Sequence, residues 1–217
     1  MNGKVLEEKE VCSAVKPVII SYYTVNTKYE EVMNTHLLPS LKKFDLEYQI
    51  SGIDSLGNWQ ENTTYKATFI CERLHNLHRD IIWLDADCIV QRYPTLLYEI
   101  QDIKDIAVFY LDWYKHWRSQ EGQLKEELIS ATMLFRYRDN VLKTLEKWIE
   151  ANEKNTNNVF EQKIFQDVLD INEFNLNIER LPAEYCAIIK HDGKLPNYIN
   201  NPAIIQYQAS RKYRYGR

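Results

Sequence analysis

The sequence predicts a single α/β domain built on a mostly parallel central sheet flanked by helices. Three observations predict it. Short β-rich runs alternate with segments of helical periodicity along the first half of the chain. One run, Ile81-Ile82-Trp83-Leu84, is apolar without alternation, the mark of a strand covered on both faces. The length, 217 residues, suits one compact domain and is short for two.

Taken in order, residues 1–16 form a polar extension carrying Glu7, Glu8 and Glu10. Pro17–Tyr23 enters the first strand. Tyr29–Phe44 places Val32, Met33, His36, Leu37 and Leu41 at helical spacing. Leu46, Tyr48 and Ile50 alternate as a second strand, and Gly52–Asn62 reads as a loop. Thr64–Leu77 is helical, with Phe69, Ile70, Leu74 and Leu77 on one stripe. Ile81–Leu84 closes a strand–helix–strand–helix–strand series, which implies right-handed parallel crossovers. Ile106–Leu111 and Ile129–Phe135 are further strands. Asp139 is placed to cap a helix bearing Val141, Leu142, Leu145, Trp148 and Ile149. Val159–Ile171 is a second amphipathic helix. Beyond Pro182 the chain is irregular, with Ile204, Ile205 and Tyr207 as a last strand and a basic, aromatic tail over Arg211–Arg217.

Apolar residues make up 45% and charged residues 27% of the chain, which excludes wholesale disorder, collagen and a coiled coil. The net charge of −4 gives no basic field for nucleic acid or anionic lipid. No apolar run is long enough to span a membrane, and the charged N-terminus is no signal peptide, so a cytoplasmic location is expected. The 4 cysteines, Cys12, Cys71, Cys88 and Cys186, lack C-x-x-C spacing and read as reduced, mostly buried thiols. Tyrosine is abundant, at 15 residues, with 5 tryptophans; most are core, and some are candidates to line a site for flat or sugar-like ligands.

The most informative stretch is Trp83-Leu84-Asp85-Ala86-Asp87-Cys88-Ile89-Val90, where two acids interrupt an apolar run. In extended chain, residues i and i+2 share a face, so Asp85 and Asp87 would present both carboxylates to one cleft. They follow a buried strand, and open parallel sheets bind ligands beyond the carboxyl ends of their strands. A divalent cation removes the repulsion, and oxygen ligation suits Mg²⁺ or Mn²⁺. The plainer alternative is an acidic turn facing water.

This region, followed by Tyr93-Pro94 and a short Leu-rich segment, resembles the D-x-D region of GT-A-fold glycosyltransferases, which use nucleotide-diphosphate sugars. The resemblance runs from about Pro17 to Lys212 and implies one Rossmann-like GT-A domain over residues 17–217. Its nucleotide-sugar half would span about 17–112 and its acceptor half about 113–217. Ser21-Tyr22-Tyr23-Thr24 stands where family members hold the base. Lys66 matches an early lysine in the helix before the D-x-D strand, and Ser130–Phe135 a later strand. Glu161-Gln162 stands where many retaining members carry Asp-Gln, with Gln166-Asp167 as an alternative register. Gln206 stands where several members have a metal-binding histidine, and Ser210-Arg211-Lys212 follows it.

The resemblance implies a metal-dependent transfer of a sugar, of hexosyl type, from a nucleotide diphosphate to an acceptor hydroxyl on a glycan or other molecule. UDP is the expected carrier because it is the commonest in the family. Asp85, Asp87 and Gln206 are the expected metal ligands. Lys66 with Arg211 or Lys212 would meet the diphosphate, with Ser210 beside them; Tyr22, Tyr23, Thr24 and Trp59 would frame base and ribose. By the same resemblance Asp85 would reach the ribose as well. Asp112-Trp113-Tyr114 and Lys115-His116-Trp117-Arg118 have the composition of a carbohydrate platform or of an ordinary surface loop. Asp112 would be the acceptor base of an inverting enzyme, and Glu161 or Gln162 would face the anomeric carbon of a retaining one; the helix favours retention. His75 and His78 read as a helix end, His36 as packed and His191 as part of a turn. Two rival readings are a haloacid-dehalogenase-like phosphohydrolase, with Asp85 as nucleophile, and a non-catalytic carbohydrate-binding module.

Overall fold

The computed structural model describes residues 15–157 and 159–215. Most of the polar extension expected over residues 1–16, with Cys12, and the last two residues of the tail lie outside the described residues. Strands β1 (Val18–Thr24), β2 (Tyr48–Ile53), β3 (Ile81–Leu84), β5 (Ile106–Asp112), β6 (Glu126–Phe135) and β7 (Ile178–Arg180) form a six-stranded sheet in the order β2-β1-β3-β6-β5-β7. Pairs β1–β2, β1–β3 and β5–β7 are parallel, whereas β6 runs antiparallel to both neighbours. The sheet is therefore mixed, with five strands aligned and β6 reversed. A second sheet joins β4 (Cys88–Val90), β9 (Ile204–Gln206) and β8 (Ala187–Ile188) in the order β4-β9-β8.

The period of two along each strand divides the core between the faces. Ile81 and Trp83 join one cluster, and Ile82 and Leu84 the other. The first cluster is covered by α3 (Trp59–Leu77), α5 (Asp139–Glu153) and α6 (Glu161–Ile171), through Ile70, Leu74, Leu145, Trp148 and Phe165. The second is covered by the helical stretch α1 (Lys28–Val32), a π-turn (Met33–Leu37) and α2 (Leu38–Lys43), with α4 (Thr95–Glu99) and the C-terminal segments. The π-turn falls just before Pro39, which lacks the N–H that a continuous α-helix would use.

Several boundaries differ from the periodicity. Helix α3 begins at Trp59, inside the expected loop, because Asn58 and Glu61 form a reciprocal capping box. Asp139 is not the cap of α5: Arg138 holds that position and Asp139 lies in the first turn. The tail contains a further helix, α7 (Ala209–Tyr215), which no apolar stripe announces. Cys71, Cys88 and Cys186 are buried free thiols. Among the described residues, no helix is long and apolar enough to cross a membrane.

Candidate active site

Asp85 and Asp87 do not lie in extended chain. β3 ends at Leu84, and a tight turn carries Cys88 N–H back to Asp85 C=O at 2.9 Å. The two side chains therefore do not share a face by strand alternation. The turn nevertheless brings both residues to the wall of a cavity of about 630 Å³ at the carboxyl ends of β1 and β3.

Their carboxylates are held differently. Asp85 Oδ1 accepts from Trp83 Nε1 and from Lys66 Nζ, each at 2.9 Å. Asp87 Oδ2 accepts from the Ala209 amide at 2.7 Å, and its backbone carbonyl accepts from Tyr207 N–H at 3.0 Å. These contacts, with the pairing of Cys88 and Gln206, fasten the turn to the start of α7. Burial, reinforced by the charge of Asp85, pushes the Asp87 carboxyl up to about 6.

Lys66 rises from α3 into the floor and is 5% exposed. Its ammonium meets Ser130 Oγ at 2.9 Å and Glu161 Oε1 at 3.1 Å as well as Asp85. Burial acts to lower its pKa, but the Asp85 and Glu161 carboxylates outweigh it and the net direction is upward. Ser130 Oγ donates to Glu161 Oε1 at 2.8 Å. A bulge aims Ser130: Val108 pairs with Met133 and Phe109 with Ile129, so Ser130–Thr132 have no partner on β5. Glu161 is fixed through its backbone too, since Trp148 Nε1 donates to its carbonyl at 3.1 Å while the Trp148 ring stacks on Phe165. Asp85 and Glu161 thus share one lysine, and Asp87 on the same cavity wall adds a further carboxylate, an excess of negative charge built from oxygen donors.

The expected base-binding residues are placed unequally. Tyr22 is a core residue, packed against Tyr65, Phe69 and Trp83 with its hydroxyl donating to Asn62 C=O at 2.5 Å, so it touches the cavity without offering a free ring face. Tyr23, Thr24 and Trp59 also line the cavity. Trp59 Nε1 donates to Tyr29 Oη at 3.1 Å, and its ring meets Phe160 edge-on.

On the C-terminal side, Gln206, Ser210 and Arg211 line the cavity. Arg211 lies over Trp117, 4.1 Å from the ring centroid, and donates to Ile189 C=O at 3.3 Å. Gln206 Oε1 accepts from Gln208 Nε2. Lys212 lies within α7, outside the residues whose side chains are described.

Toward the acceptor half, Trp113, Trp117, Gln162 and Glu127 line the wall, but Asp112 does not. Asp112 Oδ1 instead accepts from Lys115 N–H at 3.1 Å, closing the turn over Tyr114–Arg118. Gln166, in the alternative register, accepts from Leu128 N–H at 3.1 Å and fastens α6 to β6. Glu127, Ser130 and Gln208 were not singled out by the sequence. Glu126-Glu127 resembles a polar lead into a strand; the signal was the alternation that puts Glu127 on the face of Ile129, both on the cavity wall. His36 packs on Tyr207, His78 on Tyr137 and His191 on Trp117; none of the three lines the cavity.

Among the described residues, no three His, Cys, Asp or Glu side chains converge as a metal site. Mg²⁺ and Mn²⁺ do not require such a set: one or two carboxylates suffice when waters and substrate phosphates complete the shell. Asp85 retains an oxygen, Oδ2, with no hydrogen bond from the described residues, and burial, with the charge of Asp85 second, makes an ionised Asp87 unfavourable in a way that a cation would relieve. The oxygen-only donors therefore fit a hard divalent ion.

No family model matches the chain, and no curated protein matches it. Solved structures do. A glycosyltransferase involved in the glycosylation of the major capsid of PBCV-1 superposes with a TM-score of 0.67 at 12% identity, over 92% of this chain and 97% of that one. The apo-form glycosyltransferase GlyE of Streptococcus pneumoniae TIGR4 gives 0.56 at 18% identity, over 88% of this chain and 54% of that one. Mouse xyloside xylosyltransferase 1 gives 0.54 at 10% identity, over 90% and 99%. The chain has the GT-A-like fold of these glycosyltransferases.

Proposed function

We propose that the protein is a metal-dependent glycosyltransferase of hexosyl type. It moves a sugar from a nucleoside diphosphate, UDP being the first to test, to a hydroxyl of a glycan or other acceptor. One observation carries the reading: Asp85 and Glu161 share a single buried lysine, and Asp87 stands beside Asp85 on the wall of the same large cavity, on a fold shared with glycosyltransferases.

Asp85 and Asp87 are the residues to hold the divalent ion, with Gln206, paired across from Cys88, as a further oxygen donor. When bound, the ion supplies Lewis-acid neutralisation of the departing diphosphate. Lys66 holds Asp85 and Glu161 in place rather than reaching out to the diphosphate, because its neighbours already use its donors. Arg211, on the cavity wall, is a cation for that task, released from Trp117 and Ile189. Tyr23, Thr24 and Trp59 frame the base and ribose. Trp113 and Trp117 offer apolar rings to the faces of sugars. Retention is favoured, since Glu161 and Gln162 line the cavity while Asp112, the base of an inverting reaction, is turned to its own loop. No observation favours the phosphohydrolase or the non-catalytic module.

The test is thermal stability with Mn²⁺, UDP, or both. A ligand at 100 times its Kd adds about 2.7 kcal/mol, a shift of several degrees. That shift is expected only with both present, and Asp87→Ala should abolish it while leaving the unliganded protein folded. Undiminished UDP-sugar turnover by Asp87→Ala would refute the assignment.

A further inference from the structure

We propose that Glu127 is a positioning residue. It fixes the Gln162 side-chain amide so that the carbonyl oxygen, and not the NH₂ group, is presented to the anomeric centre of the donor sugar. The role rests on the donor-site reading above.

The two residues come from rigid elements, β6 and α6, and both line the cavity. Gln162 Nε2 donates to Glu127 Oε1 at 3.0 Å. The backbone around the pair is tied down. Leu128 N–H donates to Gln166 Oε1 one helical turn further along α6, and Trp148 Nε1 holds the Glu161 carbonyl.

A primary amide has nearly the same shape in its two flipped orientations, but opposite electrostatics. An ionised carboxylate only accepts, so only the NH₂ group can face Glu127. Oε1 is thereby left for the cavity, and it receives no hydrogen bond from the described residues. This is the useful polarity. Positive charge develops at C1 of the sugar as its bond to the diphosphate oxygen breaks, and a fixed carbonyl dipole stabilises that charge where an NH₂ group would oppose it.

Stability alone does not account for Glu127. The adjacent Glu126 forms an ordinary ion pair with Arg180, on the other face of the strand. Glu127 is half-buried and, among the described residues, forms no ion pair; its side-chain partner is a neutral amide. Burial pushes its carboxyl up, against Lys125, the Gln162 amide and Arg211. A half-buried acid kept beside a neutral amide costs stability, and orienting that amide is what it accomplishes.

The experiment compares wild type, Glu127→Ala, the isosteric Glu127→Gln, Gln162→Ala and the double variant Glu127→Ala/Gln162→Ala. The probes are UDP and Mn²⁺-dependent hydrolysis of UDP-glucose, UDP-galactose, UDP-xylose and UDP-N-acetylglucosamine. In each hydrolysis the C1–O bond breaks with its electron pair passing to UDP, and water supplies the oxygen that replaces it. We expect Glu127→Ala to lower kcat by roughly tenfold or more with KM and UDP affinity little changed. Glu127→Gln, which no longer enforces one orientation, should fall in between. In the Gln162→Ala background, Glu127→Ala should cost nothing further, since the two act as one unit. Full kcat in Glu127→Ala, or losses that add in the double variant, overturns the role of Glu127 while leaving the donor site standing. The Gln162 side-chain NH₂ signals in NMR, identified by their loss in Gln162→Ala, decide the contact independently of turnover. They should exchange slowly in wild type and fast in Glu127→Ala, and fast exchange in wild type overturns the proposal. A wild type that binds no UDP and cleaves none of the four donors sinks the donor-site reading itself.

Discussion

Lys66 shows how much of the site depends on one side chain. It is the cation shared by Asp85 and Glu161, and both contacts are at salt-bridge distance in a nearly closed setting. Replacing it by Met keeps the aliphatic volume and leaves the two acids facing each other. Breaking a buried pair in this way costs about 3–5 kcal/mol. We therefore expect Lys66→Met to lower the urea midpoint sharply at pH 7. An unchanged midpoint at pH 7 would show that the lysine does not hold the cluster. The same residue marks what was legible at this scale. Asp85 and Asp87 stand out in the sequence because acids inside an apolar run violate the expected pattern. The ring of partners around them does not stand out. Lys66, Ser130 and Glu161 belong to different elements, and only the packing of α3 and α6 on the sheet brings them together.

The sequence marks its strands more sharply than its helix ends. β3 and β5 match their apolar runs closely, because burial on both faces leaves a continuous hydrophobic signature. The start of α3 is hidden from hydrophobic periodicity because its signal is polar: Asn58 accepts from Gln60 N–H at 2.8 Å and Glu61 N–H at 3.1 Å, and Glu61 reaches back to the Asn58 amide at 2.7 Å. The bulge that turns Ser130 into the site leaves no mark in the sequence, since it depends on which residues of β5 face β6. The cap has a consequence for ligands. The first turn of α3 carries Trp59 and Asn62 to the cavity wall, and Asn62 also accepts from Leu56 N–H and from Tyr22. Asn58→Ala should lower stability by about 1 kcal/mol, the ordinary value of such a cap, and should weaken UDP binding as well. A urea titration read beside calorimetry with UDP and Mn²⁺ separates the two effects. Lost stability with unchanged UDP affinity would place the base away from this turn.

Across the whole molecule, two buried groups pull the pH dependence of stability in opposite directions. His116 is fully buried between Tyr198, 2.8 Å from its Nδ1, and Trp117, and burial with the nearby Lys190 and Arg211 pushes its pKa from 6.5 down to about 4. Between those values the unfolded chain binds a proton that the folded chain refuses. Stability from this group therefore rises with pH, is complete above 6.5 and is lost as pH falls toward 4. Asp87 does the reverse. Its carboxyl is raised from 3.8 to about 6, so between those values the folded chain keeps a proton that the unfolded chain releases, and stability falls as pH rises. Each slope is about 1.4 kcal/mol per pH unit at its steepest, and over their shared window they largely cancel. Changing one group at a time exposes the other. From pH 4 to 6, Asp87→Asn should make the stability curve climb more steeply than wild type, by roughly 2–3 kcal/mol in total. His116→Asn, which can still bond Tyr198, should make it climb less or descend by a similar amount. The slope is the quantity to compare, since either substitution can shift the absolute level. Parallel curves for wild type and both variants would mean that neither group titrates differently on folding. The cost of an ionised Asp87 at neutral pH would then vanish, and with it the burial penalty and repulsion that make a divalent ion favourable there.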